Sequence, residues 1–335
     1  MLKATGTYSA VRDSRWRARR LLILCYHGIS LEDEHEWDPA LYMSPGQFEA
    51  RLDVLMRHGY SVLPLAEALD ALRHNALPPR SVTLTFDDGT HDFYAKAFPA
   101  LEARRLPATV YLTTYYCELG RPVFNLMCSY LLWKARGRSV SAATVLKMQG
   151  TLDLSNPKAR QTACDAIMSE AERARYTAAD KQQVVERLAR ALHVDYEALA
   201  ARRLLHIMTP AEVAETASRG VDFQLHTHSH RSPLDRDLFL GEIQENRRFI
   251  QRMTDRRPAH FCYPSGRHRP EFHPWLREQE IQSATTCDPG LATSSSGLFA
   301  LPRFVDTSAV PPVVFEGWLT GAASWLPRKR SYANG

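Results

Sequence analysis

Ser81-Val82-Thr83-Leu84-Thr85-Phe86 runs without a break into Asp87-Asp88-Gly89. The first six residues alternate and are rich in β-branched side chains, so they read as a strand; the polar Asp-Asp-Gly reads as the turn at its C-terminal end. A helical pattern follows over about 91–105, and Ala108-Thr109-Val110-Tyr111-Leu112 is again strand-like. Strand, loop, helix and strand in that order mark a parallel α/β architecture. The paired carboxylates then lie at a strand's C-terminal end, where such folds carry their chemistry.

The same alternation extends in both directions. Residues 21–26 form a continuous apolar run ending at His27-Gly28, as expected of a strand buried on both faces. Ser44-Pro45-Gly46-Gln47 opens a helix with an N-cap, a proline at N1 and a capping box, and Gly59 ends it. Residues 60–63 are a short strand and 65–73 a helix. Thr209-Pro210-Ala211-Glu212 is a second capping box, and Gly220 closes its helix. Strands over 221–225, 259–263 and 283–287 alternate with helices over about 236–254 and 271–280; Phe239, Ile243, Ile250 and Met253 line one face of the former. Between about 115 and 208 the pattern turns helical, with no strand expected after Leu112. These residues read as a mainly helical insertion in the loop region of an α/β barrel, on the face where the βα loops lie. The expected division is a basic arm at 1–20, a barrel over 21–320 and a basic tail at 321–335.

Composition narrows the class. A chain of 335 residues with 44% hydrophobic and 24% charged side chains is neither disordered, collagenous nor a small disulfide scaffold. Its net charge of +5 is too mild at this length to argue for a nucleic-acid partner. Six scattered cysteines without a C-x-x-C pair read as reduced core residues. The basic N-terminal residues precede an apolar run shorter than the ~7–15 residues of a signal-peptide core. No stretch reaches the ~20 apolar residues of a spanning helix, so a cytoplasmic location is the expectation. The basic arm, with Trp318, Trp325 and Pro327-Arg328-Lys329-Arg330, reads either as solvated ends or as a peripheral contact with anionic lipid at the inner membrane face. No sequence feature specifies an oligomeric state.

His226-Thr227-His228-Ser229-His230 is the second chemical motif. The i, i+4 pair His226 and His230 can converge on one ion with His228 pointing away; the bland alternative is a polar loop in a chain with 13 histidines. Asp87-Asp88-Gly89 alone also fits a helix cap followed by a left-handed glycine. Together, one Asp and two His have the composition of a hydrolytic zinc site or a non-haem iron triad. The remaining Asp is then placed to act as general base on metal-bound water.

Thr85-Phe86-Asp87-Asp88-Gly89 followed far downstream by the histidine motif resembles the polysaccharide deacetylase (NodB-homology, carbohydrate esterase 4) family. Tyr26-His27-Gly28-Ile29, Leu106-Pro107-Ala108-Thr109-Val110, Phe261-Cys262-Tyr263-Pro264-Ser265-Gly266 and Leu301-Pro302-Arg303 extend the likeness across residues 21–112 and 206–306. The resemblance implies a distorted (β/α) barrel of about seven strands and metal-dependent removal of N-acetyl groups from amino sugars. It implies Asp87 as catalytic base, and Asp88, His226 and His230 as ligands of a divalent metal, Zn2+ being the expected ion. Thr227 is implied to hold the histidine loop, and the backbone amide near Ser265 to donate to the oxyanion.

Three positions depart from the family pattern. Cys262 replaces an arginine, which leaves Arg303 or Arg267 to orient Asp87. Ser283-Ala284-Thr285-Thr286-Cys287-Asp288 stands where an Asp-x-Asp-Trp is usual. The histidine that supplies the general acid has no counterpart, so His27 and His268 are the candidates. The expected partner is an N-acetylated saccharide or a lipid-linked sugar. The alternatives are a non-catalytic carbohydrate-binding relative and a metal-dependent hydrolase of another C–N or ester bond.

Overall fold

The apolar run at 21–26 folds as β1 (Leu22–Tyr26), with all five side chains buried. The computed structural model describes residues 7–146 and 149–325. The short strands β2 (Gly28–Ile29) and β3 (Tyr42–Met43) pair with each other, and β4 (Ser61–Val62) pairs with the first residues of β5 (Ser81–Phe86). After β6 (Thr109–Leu112) come β7 (Ser139–Ser141) and β8 (Thr151–Asp153), then β9 (Asp222–Leu225), β10 (His260–Cys262), β11 (Ser283–Thr285) and β12 (Phe304–Val305). The main sheet is parallel throughout, in the order β11-β10-β9-β6-β5-β1-β12. Its two edges are tied by the segment that precedes β12. Leu301 donates to Ala284 O and accepts from the Thr286 amide on the β11 side, and three residues later Phe304 pairs with Leu24 of β1. A distorted (β/α) barrel results, as expected.

Local signals place most of the helices. Ser44 Oγ accepts the Gln47 amide at 3.3 Å to start Pro45–Arg57, but Gln47 does not complete the capping box; its side chain accepts from Ser308 Oγ at 2.9 Å instead. Thr209 and Glu212 form both halves of theirs, at 2.8 and 3.2 Å. The helix expected over 91–105 opens with a π turn at Phe93–Ala97 before Phe98–Ala103. Pro99 in the segment has no N–H to donate to a regular ladder.

Contacts divide the chain into two units, Met1–Glu118 with Met208–Gly335, and Leu119–Ile207. The second is helical in Phe124–Lys134, Pro157–Arg173 and Ala178–Leu192, which bury Leu131, Ile167 and Leu188; the first of these helices packs against each of the other two. It also holds the antiparallel hairpin β7–β8, which corrects the expectation of no strand there. Two three-residue strands are too short to show a period of two.

Both ends of the chain depart from the solvated segments expected of them. Thr7–Arg12 and Arg15–Ala18 are helices, and Arg17 within the second is fully buried. Its guanidinium donates to Leu319 O at 3.0 Å, Arg20 O at 2.6 Å and Ser81 O at 3.0 Å. Burial lowers its pKa to about 10, which leaves it charged at neutral pH. Trp318 is not an exposed anchor: it is buried in the helix Pro312–Thr320, stacked on Phe304 at 4.9 Å. The expected tail begins as a turn of 3-10 helix, Ala322–Trp325; Pro327-Arg328-Lys329-Arg330 lies outside the described residues. Among the described residues no helix is long and apolar enough to cross a membrane.

Arg17→Met keeps the volume but strands three carbonyls, each at about 1–3 kcal/mol when left unsatisfied. The expected result is a loss of about 3 kcal/mol, read as a lower urea midpoint with an unchanged slope.

Candidate active site

One backbone torsion separates the two adjacent carboxylates. Asp87 continues the line of β5, whereas Asp88 adopts φ 66° and Gly89 φ 77°. The turn is fastened by Gly89 N–H to Asp87 O at 2.8 Å and Thr113 N–H to Asp88 O at 3.1 Å. A Cβ at Gly89 would run into the Leu112 side chain, so only glycine fits there. Asp87 points into the barrel and is buried, and Asp88 reaches its rim.

Inside, Asp87 meets Arg303. Nη1 donates to Oδ1 and Nη2 to Oδ2, each at 2.6 Å, and both side chains are buried. Arg303 is aimed by its Nε bond to Thr286 O at 2.9 Å and by Nη1 to Thr85 Oγ1 at 3.3 Å. Cys25 and Cys262 thiols flank Asp87 Oδ2 at 3.6 and 3.4 Å, and Nη2 also lies 3.1 Å from Cys262 Sγ. Of the two arginines left open by the sequence, Arg303 is the one brought to Asp87; Arg267 is exposed. Burial alone pushes the Asp87 carboxyl up, but the charge and hydrogen bonds of Arg303 override it, with His226 and His27 adding, and hold it well below the usual carboxylate range.

At the rim, two rings converge on Asp88. His226 Nε2 and His230 Nε2 lie 3.3 and 3.2 Å from the same Asp88 Oδ1, and the three potential ligand atoms all fall within 4.8 Å of one another. His226 Nδ1 is 2.9 Å from Cys262 O, a carbonyl that can only accept, so Nδ1 carries the proton and Nε2 presents its lone pair. This donor set of two imidazoles and a carboxylate suits zinc. Two overlapping groups, Cys25–His27–Asp87 and Asp87–His226–Cys262, share the Asp87 carboxylate. Arg303 already occupies both of its oxygens, so the Asp88 group is the one suited to a cation.

The histidine loop is held in shape from several sides. Thr227 and His230 have φ 65° and 58°, and Thr227 Oγ1 accepts the Arg231 amide at 3.0 Å. His228 turns away, bonded through Nδ1 to Thr114 Oγ1 at 2.9 Å. Two residues unremarked in the sequence clamp the loop from the helix Arg236–Thr254. Asn246 Oδ1 accepts the His226 amide at 2.9 Å, while its Nδ2 donates to Leu112 O at 2.8 Å. Glu242 accepts the Ser229 amide through Oε2 at 2.7 Å and the His228 amide through its backbone oxygen at 3.2 Å. Asn246 had a visible signal: it is seven residues from Phe239, a carboxamide on the helix's apolar stripe, and it is fully buried.

The other expected residues separate. His27 Nε2 lies 3.8 Å from Asp87 Oδ2 on a ring 18% exposed, and its buried Nδ1 has no partner among the described residues. His268 packs against the rings of Tyr263 and His273, both at 5.4 Å, and enters none of the potential metal groups. Ser265 takes φ 55° within the turn Pro264–Gly266. The bonds of that turn start from the Gly266 and Arg267 amides, and the Ser265 amide forms none among the described residues.

Comparison with known proteins bears on the family and the fold. A family model described as polysaccharide deacetylase matches residues 74–130 and 174–284, half of the chain. YxkH of Bacillus subtilis (strain 168), designated a polysaccharide deacetylase, is 21% identical over 287 residues, 85% of this chain and 70% of that protein. The poly-beta-1,6-N-acetyl-D-glucosamine N-deacetylase of Escherichia coli (strain K12) is 29% identical over 101 residues, 30% of this chain but only 15% of that protein. Among solved structures, the Streptococcus pyogenes deacetylase PplD in complex with acetate superposes with a TM-score of 0.58 at 20% identity, covering 88% of this chain and 95% of its own. IcaB from Ammonifex degensii gives 0.53 at 17% identity, covering 91% and 97%.

Replacing Arg303 by Met leaves Asp87 buried without its counter-charge. The expected cost is about 3–5 kcal/mol in denaturant unfolding, and Arg303→Met with Asp87→Asn recovers part of it because the orphaned charge is gone.

Proposed function

The chain belongs to the polysaccharide deacetylase family, and from that premise we propose that it is a metal-dependent hydrolase that removes N-acetyl groups from an amino-sugar-containing saccharide. The observation that carries this reading is the juxtaposition of an arginine-held carboxylate, Asp87, with three converging ligand atoms on Asp88, His226 and His230. These three residues would hold the divalent cation, Zn2+ by the chemistry of the donors. Bound there, it would supply Lewis acidity toward the acetyl carbonyl and lower the pKa of water to about 7, which a base as weak as Asp87 requires.

The protein groups divide the remaining work. Arg303 keeps Asp87 ionised and fixed in direction, so the carboxylate is ready to take a proton without reorganising. His27, 3.8 Å away and partly open to solvent, is the general acid that returns a proton to the departing amine. The Ser265 amide, left free by its left-handed turn, donates to the oxyanion of the tetrahedral intermediate. The substrate is an N-acetylated saccharide; the poly-N-acetylglucosamine named for two groups of relatives favours a glucosamine polymer over a lipid-linked sugar.

Acetate release from poly-N-acetylglucosamine oligomers tests this directly. Chelation should abolish it and zinc restore it, and Asp87→Asn should lower kcat/KM by about 10²–10⁴. His27→Gln should lower it by at least about 10² while His268→Gln leaves it near wild type. Unchanged acetate release in Asp87→Asn would sink the reading. Asn246→Leu should weaken zinc binding about 10–100-fold in competition against a chromophoric chelator, without loss of helical signal.

A further inference from the structure

Asp87 and His226 follow the C-terminal ends of β5 and β9, and the sheet is parallel. A different kind of site lies at the opposite end, where the chain enters β1 and β5. There a pocket of about 500 Å³ is lined by Arg15, Arg19 and Arg20 together with Thr293, Ser294 and Ser295, and among the described residues no carboxylate lines it. We propose that this pocket binds the phosphate headgroup of an anionic lipid and seats the protein on a membrane surface.

Four observations carry the assignment. The arginine segment is built into the fold, because buried Arg17 is pinned to three carbonyl oxygens. The opposing hydroxyl loop is fastened to it by the paired bonds between Leu21 and Ala292, at 3.0 and 2.8 Å. Among the described residues Arg15 and Arg19 are exposed and make no ion pair, whereas Arg80, Arg104 and Arg236 each pair with a carboxylate. Arg20 is held by its Nη1 bond to Trp16 O at 2.6 Å, with its guanidinium 4.1 Å over the Trp16 ring. Unpaired guanidinium groups facing hydroxyl donors form a phosphate-binding surface.

What selects a lipid over free phosphate is Trp325. It is 59% exposed and packs on Trp16 at 5.2 Å, beside the pocket. An indole open to solvent next to arginines is the chemistry of a membrane interface, and a soluble phosphate has no use for it. The catalytic end of the barrel then faces away from the bilayer, toward a saccharide chain.

Sedimentation of the full chain with vesicles tests the proposal. Binding is expected to phosphatidylcholine vesicles containing phosphatidylglycerol and not to phosphatidylcholine alone, and it should fall with salt. Arg15→Ala with Arg19→Ala should lower the partition coefficient about 30-fold, the equivalent of ~1 kcal/mol per arginine near a charged surface. Arg15→Lys with Arg19→Lys should retain most of the binding, which separates lost charge from misfolding, and Trp325→Ala should remove the part that survives high salt. Wild-type binding by the alanine pair overturns the proposal, as does equal binding to both vesicle types. Inorganic phosphate is added at constant ionic strength as the second arm. If it displaces the protein and raises the Tm of wild type but not of the alanine pair, the pocket belongs to free phosphate and the lipid assignment falls.

Discussion

The ion pair between Arg303 and Asp87 is the constraint around which the barrel is organised. Neither charge tolerates burial alone, because several kcal/mol of desolvation per ion must be recovered from the partner. The recovery here is bidentate, with both oxygens matched to both terminal nitrogens. Asp87 comes from the end of β5, Arg303 from the segment that ties β11 to β1, and the flanking thiols from β1 and β10. Arg303 also donates to Thr286 O just past β11, so one guanidinium charges the carboxylate and spans the two edges of the sheet. Cys262 stands where the resemblance expects an arginine. Its small thiol leaves room for a guanidinium arriving from a different segment, 3.1 Å away.

Two neighbouring carboxylates acquire different chemistry from their surroundings. The left-handed backbone at Asp88 turns its carboxylate toward two imidazoles at the rim, while Asp87 stays with a guanidinium in the interior. His226 in turn depends on Cys262 O for its tautomer and on Asn246 for its backbone position. The helix Arg236–Thr254 therefore does more than cover the sheet, since its inner face holds the loop that carries both rings.

Arg17 shows the same electrostatics solved differently. It too is a buried guanidinium, but it satisfies itself with three carbonyl oxygens rather than a carboxylate, and it keeps its charge while locking the N-terminal segment to the sheet. Composition made that segment look solvated. Its arginines in fact divide between one staple inside and several donors outside.

Much of this was legible in the residues alone. Most strands of the main sheet and the helices between them followed from apolar runs, alternation and caps, and the acid pair and histidine motif were visible because each is contiguous in sequence. Interactions of that range are encoded by spacing. The choice of Arg303 over Arg267 was not legible, since Arg303 stands 216 residues from Asp87 and reaches it only through the order of strands in the sheet. The same holds for His27, brought near Asp87 by the pairing of β1 with β5, while His268 packs among other rings. The sequence by itself determined which residues could do chemistry and which elements would carry them. Only the tertiary structure decided which charges meet, because a buried ion is stable beside its partner alone, and strand order chooses that partner.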